Sequence, residues 1–298
     1  MAAPREVAER EFQVPSVDPV GFKYAFCNES MQGMSWSEQC NLVARSGYRG
    51  IEIAPFSLVN ESVEELTSGR RREMLRAMKN AGLECAGLHW LLSSPPPGLH
   101  VTTPDRETRK RSWAYLEKLI DFCGDLEGPV MVFGSPKGRS AAAGQSVAEA
   151  KKYLADGLAG IADHARRRRI KILIESLGHN QTDVVNTLSE AVEILAHIDH
   201  PAIQTMFDFH NTFDETEPFP VLIDRYFLHI HHVHVQEMDG RYVGSGKAAT
   251  DFAAAFQRLK DRNFAKWISV EVFDFSPGPA IIALESLKTL KRIEAGLR

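Results

Sequence analysis

Four side chains able to bind a metal ion lie near the ends of four successive apolar segments. They are Glu175 in KILIES, Asp208 in QTMFDF, His234 in HHVHVQ and Glu271 in WISVEV. An ionised carboxylate in apolar surroundings is costly unless it is paired or binds a cation. Any one of these acids could be a structural salt bridge or the cap of a strand end. Their recurrence in four consecutive segments favours one shared site.

The chemistry of this set points to a particular class of metal. Three carboxylates and one imidazole suit a hard or borderline divalent cation better than a thiolate-type zinc site. We therefore expect one divalent ion per chain, with Mn²⁺ preferred and Mg²⁺ or Co²⁺ as alternatives. The chain has four cysteines without short paired spacing, which is typical of reduced, buried thiols in a cytoplasmic protein.

The elements that would position these side chains form a repeating pattern from Gly21 onward. Short β-rich runs alternate with longer segments of helical period, and eight strands are predicted at spacings of 28 to 46 residues. Each interval is long enough for a strand, a helix and two loops. The predicted strand starts are Phe22, Gly50, Glu84, Val130, Lys171, Ile203, His232 and Trp267.

Helix-start signals agree with this alternation. Ser35, Ser62 and Ser146 each stand three residues before a glutamate, which is the capping-box pattern. The pair Thr103-Pro104 places a proline at the first position of another predicted helix.

Eight strand–helix repeats without a break in composition predict a single (β/α)8 TIM barrel over residues 21–298. An open doubly wound sheet is the alternative, but it would normally carry a glycine-rich phosphate turn after its first strand. Neither a GxGxxG motif nor a P-loop occurs in the chain. The active site of a TIM barrel lies at the C-terminal ends of the strands, where the four candidate ligands fall. Residues 1–20 are polar and proline-punctuated, and we interpret them as an N-terminal extension.

Composition argues against several other classes of function. The 298 residues carry a formal net charge of -4, whereas a dedicated nucleic-acid binder usually presents a basic face. No apolar run approaches the roughly 18 residues needed to span a membrane. The N-terminus lacks the apolar stretch of a secretory signal. We expect a cytoplasmic protein that binds neither nucleic acid nor membranes.

Six further side chains are candidates for binding substrate, and four of them have a structural alternative. Glu52 and His89 end the second and third strands, where a satisfied polar residue at the rim is an equal interpretation. His232 precedes His234 by two residues and shares its strand face, although it could be a packed strand histidine. Lys137 follows the fourth strand and could meet a phosphate or carboxylate, although loop cations are more often only solvated.

The other two candidates follow the sixth strand. His210, two residues after Asp208, would face the same side of the barrel if the strand remains regular. Asn211 competes with His210 for the same substrate contact.

These motifs resemble the xylose-isomerase-like TIM barrel superfamily, the group of sugar phosphate isomerases and epimerases. The resemblance extends from about Gly21 to the C-terminus. Closest in pattern are ketose 3-epimerases of the tagatose/psicose type and hydroxypyruvate isomerases. The matching motifs are Ile174-Glu175, Asp208 with a nearby histidine, His232-Val233-His234 and Val270-Glu271.

The resemblance implies roles for individual residues. Glu175, Asp208, His234 and Glu271 would bind one metal ion, with Glu175 and Glu271 also acting as acid/base groups. Arg241 would contact the substrate, a small sugar. The implied reaction is isomerisation or epimerisation of a keto-sugar or sugar phosphate, by proton abstraction next to the carbonyl through an enediolate. We also expect a homo-oligomer, either a dimer or a tetramer.

Other functions use the same barrel. A lyase or hydratase acting on a keto-sugar or keto-glycoside would use the same enolate chemistry. An abasic-site endonuclease would need three zinc ions and a basic surface, which the acidic balance disfavours. A metal-free binding barrel is a further class.

Three departures from the epimerase pattern concern the substrate. His210 follows Asp208 by two residues, whereas those enzymes have a histidine three residues after the aspartate, the position that Asn211 occupies here. Lys247 replaces the histidine of a GTGH-like loop, and DFSPGP after Glu271 is outside the pattern. These departures leave open a substrate other than a simple free ketose.

Overall fold

The eight predicted strands close into one parallel barrel in the order β1-β2-β3-β4-β5-β6-β7-β8. The computed structural model describes residues 21–246 and 249–298. The expected extension at residues 1–20 and the substitution at Lys247 lie outside the described residues. The closed strand order confirms the (β/α)8 barrel and excludes the open doubly wound sheet.

The strand boundaries follow the predicted starts closely. Six strands begin at the predicted residue, β1 begins one residue later, and β7 begins two residues earlier. The strands are β1 Lys23–Cys27, β2 Gly50–Ile53, β3 Glu84–Leu88, β4 Val130–Phe133, β5 Lys171–Ile174, β6 Ile203–Asp208, β7 Ile230–Val235 and β8 Trp267–Val270.

Helices alternate with these strands. The α-helices are α1 Trp36–Arg45, α2 Ser68–Asn80, α3 Arg106–Asp125, α4 Pro136–Arg139, α5 Val147–Arg167, α6 Leu188–Ile198, α7 Phe219–Tyr226, α8 Ala249–Asp261 and α9 Pro279–Ala295. Three short 3₁₀ helices span Asn28–Met31, Pro55–Leu58 and Val63–Glu65. None of the helices in the described part of the chain has the length and apolarity to cross a membrane.

The helix-start predictions have mixed outcomes. Ser35 forms the predicted capping box of α1, and the Ser146 hydroxyl caps α5. Ser62 also forms a capping box, but it begins only a 3₁₀ turn. The prediction of a helix start at Thr103-Pro104 is wrong, because the Asp105 side chain accepts the Thr108 N–H and so caps α3 at Arg106.

The parallel register brings the polar strand ends to one level. Asp208 of β6 is the Cα partner of His234 of β7, and His234 is the partner of Ser269 of β8. The strand residues are almost all buried, most of them in one large apolar core and the others in two small clusters. Such packing holds the strand ends rigidly, so side chains that project from several strands can meet at the C-terminal mouth, the open end of the barrel where the strands finish.

Candidate active site

The four predicted metal ligands meet at the C-terminal mouth. Asp208 ends β6 and His234 lies near the end of β7, while Glu175 and Glu271 directly follow β5 and β8. Each offers one ligand atom, and these atoms all lie within 4.8 Å of one another. No member of the set is more than 5% exposed. The structure therefore brings together the group that the sequence pattern singled out.

The electrostatics of this group fit a divalent cation. Burial, together with repulsion from Asp208 and Glu271, raises the pKa of Glu175 well above its ordinary value. Burial and Glu271 likewise raise the pKa of Asp208 to about 6. Three buried carboxylates so close together are costly without a compensating positive charge. A divalent ion would supply that charge, and three oxygens with one nitrogen suit Mn²⁺ or Mg²⁺.

Asn211 holds two of the carboxylates together. Its side-chain amide nitrogen donates to Glu175 Oε1 at 2.9 Å and to Asp208 Oδ2 at 2.7 Å. Its amide oxygen accepts from Gln181 Nε2 at 2.7 Å, which fixes the orientation of the amide. The structure thus places Asn211 against the candidate ligands, with its hydrogen-bonding groups already engaged.

The end of β4 provides room for Glu175. A Cβ atom on Gly134 would lie 2.1 Å from Glu175 Oε2, so only glycine fits beside this carboxylate. Arg139 is fully buried nearby and interacts electrostatically with Glu175. Its guanidinium donates to the Phe133 carbonyl at 2.9 Å. The guanidinium is therefore enclosed between the carbonyls of Phe133 and Val185 and the Glu175 carboxylate, and it is not solvated.

A second polar layer lies under the ligands, with Glu52 at its centre. Glu52 Oε1 is 3.0 Å from His234 Nε2, and Glu52 Oε2 is 2.8 Å from His232 Nε2. Burial opposes ionisation of Glu52, but His232 and His234 outweigh it and hold the pKa of Glu52 well below its ordinary value. The Nδ1 atom of His234 is left facing Glu271 Oε2 at 3.1 Å. A carboxylate behind a ligating histidine fixes the tautomer and the ring orientation.

His89 joins this layer from the other side. Its Nε2 atom is 2.8 Å from Glu29 Oε2, and its Nδ1 atom is 3.7 Å from Glu52 Oε1. Glu29 lies in the 3₁₀ turn after β1 and is 1% exposed. Glu52, His89 and His232 are all fully buried, and each contacts another charged or polar side chain of this layer.

One wall of the C-terminal mouth is aromatic. Trp90 Nε1 donates to Glu271 Oε1 at 2.6 Å, which ties this wall to a candidate ligand. The Trp90 ring stacks on Phe56 with centroids 5.6 Å apart and meets Phe273 at 6.1 Å. Phe273 is 40% exposed and also contacts the His210 ring at 5.1 Å. Partly exposed aromatic surface beside buried charges is typical of a ligand pocket.

His210 retains a free polar atom in this wall. Its backbone N–H donates to Asp208 Oδ1 at 2.8 Å. Its ring Nδ1 is buried, with no hydrogen-bond partner in the described part of the chain. The amide atoms of Gln236, two residues after His234, are also buried without partners there. Both groups are available to a ligand hydroxyl.

The two remaining predicted contacts are more exposed. Arg241 pairs with Asp239, with Nη2 and Oδ2 2.7 Å apart, and its side chain is 46% exposed. Lys137 lies in α4 and is exposed, and among the described residues it has no ion-pair partner. Neither side chain is fixed against the four candidate ligands.

Cys27 also lies near the site, in two groupings with buried acids and histidines. Burial raises the pKa of its thiol well above the ordinary value, and Glu52 and Glu29 raise it further. A thiolate is therefore disfavoured there, so the oxygen-rich group of four is the better metal site.

Sequence reasoning missed several residues of this site, among them Glu29, Trp90, Gly134 and Gln236. Gly134 and Gln236 carried a usable signal, since Gly134 directly follows an apolar strand and Gln236 continues the alternation of His232 and His234. Glu29 and Trp90 lie beyond their strands, where alternation no longer gives the side-chain direction.

Comparison with known proteins identifies the kind of barrel. The model of the family described as xylose isomerase-like TIM barrel matches residues 40–293. The "Probable ketose 3-epimerase" of Synechocystis sp. is 26% identical over 190 residues, which cover 61% of this chain and 63% of that relative. The 3-dehydro-D-guloside 4-epimerase of Escherichia coli is 24% identical over 266 residues, covering 85% of this chain and 93% of the relative.

Solved structures share the fold. A D-psicose 3-epimerase crystallised in the presence of D-fructose superposes with a TM-score of 0.77 at 18% identity, over 92% of this chain and 100% of that one. The 3-keto-D-glucoside 4-epimerase of E. coli, in its apo form, gives a TM-score of 0.79 at 19% identity, over 91% and 100% of the two chains.

Proposed function

Because the chain belongs to the xylose isomerase-like TIM barrel family, we propose that it is a metal-dependent sugar epimerase. The observation that carries this proposal is the convergence of Glu175, Asp208, His234 and Glu271, whose ligand atoms lie within 4.8 Å of one another. These residues would hold one divalent ion, with Mn²⁺ preferred. Such an ion supplies Lewis-acid stabilisation of the negative charge that develops on substrate oxygens.

Glu271 and Glu175 are suited to different steps of a proton transfer, the removal of the proton and its return. Burial opposes ionisation of Glu271, but His234 outweighs it and lowers the pKa of this carboxyl. Burial and Asp208 instead raise the pKa of Glu175. Paired titratable groups whose environments separate their pKa values are typical of acid/base partners. Glu271 is therefore the candidate base for the C–H next to the carbonyl, and Glu175 the candidate partner that returns a proton.

The second layer would position the site. Glu52 would hold His234 with Nε2–H directed away from the ligands and Nδ1 directed toward them. Trp90 N–H would fix the carboxylate plane of Glu271, and Asn211 that of Glu175. Pre-orientation of reacting groups lowers a barrier because the ordering cost is met during folding. We thus assign Glu52 and Asn211 as positioning residues.

The substrate proposed is a keto-sugar. His210 Nδ1 and the Gln236 amide are unpartnered polar groups that could meet its hydroxyls, and Arg241 stands further out. The aromatic wall of Phe56, Trp90 and Phe273 offers apolar surface for the carbon faces of a sugar ring. The relatives named above act at C3 of free ketoses or at C4 of keto-glycosides, so both substrate classes are candidates here.

A product analysis tests the proposal. Metal-stripped protein is reconstituted with Mn²⁺ and incubated with a panel of free ketoses and 3-keto-glycosides, and the products are assigned by NMR. We expect about one Mn²⁺ per chain and conversion of at least one substrate to its epimer, both lost after chelation. An unsaturated product would establish the lyase alternative instead. Failure to bind a divalent ion, or several bound zinc ions per chain, would overturn the proposal.

A further inference from the structure

The N-terminal mouth, where the strands begin, contains a cavity of about 500 Å³. Its wall includes the first residues of five strands, namely Lys23 of β1, Glu84 of β3, Val130 of β4, Lys171 of β5 and Trp267 of β8. The candidate catalytic residues stand at the other end of these and neighbouring strands. The cavity is therefore separate from the proposed active site.

The charges around this cavity do not balance. Five cationic and two acidic side chains line it. Lys23 pairs with Glu84 at 3.0 Å and Lys79 pairs with Glu127 at 2.7 Å, which uses both acids. Arg169, Lys171 and Lys266 form no ion pair with any residue in the described parts of the chain. Three positive charges thus remain uncompensated around one concavity.

Two of these cations are held in place. Lys266 Nζ donates to the Ile230 carbonyl at 2.8 Å, and Lys171 Nζ donates to the Pro201 carbonyl at 2.8 Å. Both side chains are half-buried. Burial, with repulsion from Lys171, lowers the pKa of Lys266 to about 8. The protein keeps two mutually repelling amines close together, an arrangement that a bound anion would relieve.

The rest of the cavity wall is largely apolar and suits the carbon skeleton of an organic molecule. Leu75, Met78, Leu83 and the Trp267 ring line the same cavity, and Lys23 Nζ lies 4.0 Å from the centroid of that ring. His231 also lines it, and burial, with the nearby Lys266 and Lys171, lowers its pKa to about 3. The imidazole is therefore neutral at physiological pH.

From this arrangement we infer a second binding site, for a small organic anion with a phosphate or carboxylate group. Arg169, Lys171 and Lys266 would hold the charged group, and the apolar residues would hold the remainder. The cavity volume lies within the range of roughly 300–1,000 Å³ found for small-molecule pockets. Three cations around one concavity raise the local concentration of an anion.

Pyridoxal 5′-phosphate is a suitable probe, because it combines a phosphate with an amine-reactive aldehyde. The neutral Nζ of a lysine attacks the aldehyde carbon, water leaves, and borohydride then delivers hydride to the imine carbon to give a stable secondary amine. The metal-loaded protein is labelled at pH 7.5 with less than one equivalent of reagent. Peptide mass spectrometry then maps the modified lysines, and pyridoxal without phosphate serves as the control reagent.

We expect Lys266 or Lys171 to be labelled first with pyridoxal 5′-phosphate, and sulfate to slow that labelling. Arg169→Gln removes a cation that the reagent cannot modify, and it should slow labelling at least about fivefold through the lost attraction. Arg70→Gln removes the same charge outside the cavity and should leave the rate unchanged. The inference is overturned if the label spreads evenly over exposed lysines such as Lys152 and Lys288, collects at Lys137, or is indifferent to the phosphate or to Arg169→Gln.

Discussion

The two mouths of the barrel carry charges of opposite sign and hold them differently. At the C-terminal mouth, Glu175, Asp208 and Glu271 are buried, and each contacts a side chain from another strand or loop. At the N-terminal mouth, Lys171 and Lys266 each donate to a backbone carbonyl, and neither forms an ion pair within the described part of the chain. The carboxylates at the C-terminal mouth are therefore fixed by neighbouring side chains. The two lysines at the N-terminal mouth remain available to bind an anion. Loss of a carboxylate should therefore lower turnover strongly at the C-terminal mouth and hardly at all at the N-terminal mouth.

Matched Glu→Gln changes at the two mouths test that contrast most strongly. Glu271→Gln removes a candidate base and a metal-binding charge, so turnover should fall at least about 10³-fold while the circular dichroism spectrum is retained. Glu84→Gln breaks only the exposed pair with Lys23, which is worth about 1 kcal/mol or less. Its turnover should match that of the native protein. Near-normal turnover in Glu271→Gln would remove Glu271 from the mechanism.

Gly134→Ala tests how tightly the C-terminal mouth is packed. The new Cβ would lie 2.1 Å from Glu175 Oε2, so the carboxylate must move. A displacement of about 1 Å can cost roughly 10²-fold in rate, and we expect a loss of kcat of that size. Gly160→Ala is the control, since a Cβ there meets nothing within 4 Å. In the middle of α5 it should stabilise the fold by about 0.5–1 kcal/mol without affecting kcat.

Glu52→Gln tests the second layer while leaving the four candidate ligands themselves unchanged. The amide cannot accept hydrogen bonds from both His232 and His234 as the carboxylate can. Loss of such a partner typically weakens metal binding by about 10- to 100-fold. Titration calorimetry with Mn²⁺ should show this weakening, with much of kcat restored at saturating metal. Unchanged Mn²⁺ affinity would mean that Glu52 serves only the packing of the barrel.

The pH dependence of metal binding should follow the raised carboxyl pKa values. Asp208 has a pKa of about 6 in the metal-free protein, and its proton must leave before a cation binds. Mn²⁺ affinity should therefore fall as the pH drops below about 6, and it should go on rising above pH 6, because the pKa values of Glu175 and His234 are also raised well above their ordinary values. The stability of the metal-free protein should show the opposite slope between the ordinary carboxyl pKa and about 6, because the folded state holds this proton more tightly than the unfolded chain. Calorimetry at pH 5 to 8 and thermal melts of the stripped protein measure both.

The fold and the convergence of the four candidate ligands were predictable from sequence because strand position alone settles them. An acid that ends a buried strand must project at the C-terminal mouth, as Asp208 does. Strand alternation likewise placed His232 and His234 on one face. The burial of Arg139 depends on close approaches between segments, which no local pattern encodes. Trp90 takes a backbone φ of +51°, so its direction could not be inferred from the preceding strand.

Solvent exchange at the carbon next to the carbonyl is the most direct test of the central claim. The Mn²⁺-loaded protein is incubated in ²H₂O with keto-sugars and keto-glycosides, and the substrate and product are followed by ¹H NMR. Proton transfer by Glu271 and Glu175 predicts deuterium at that carbon, no exchange in Glu271→Gln, and unchanged exchange in Glu84→Gln. Epimer formation without any deuterium at that carbon, or equal exchange in Glu271→Gln, would contradict the account.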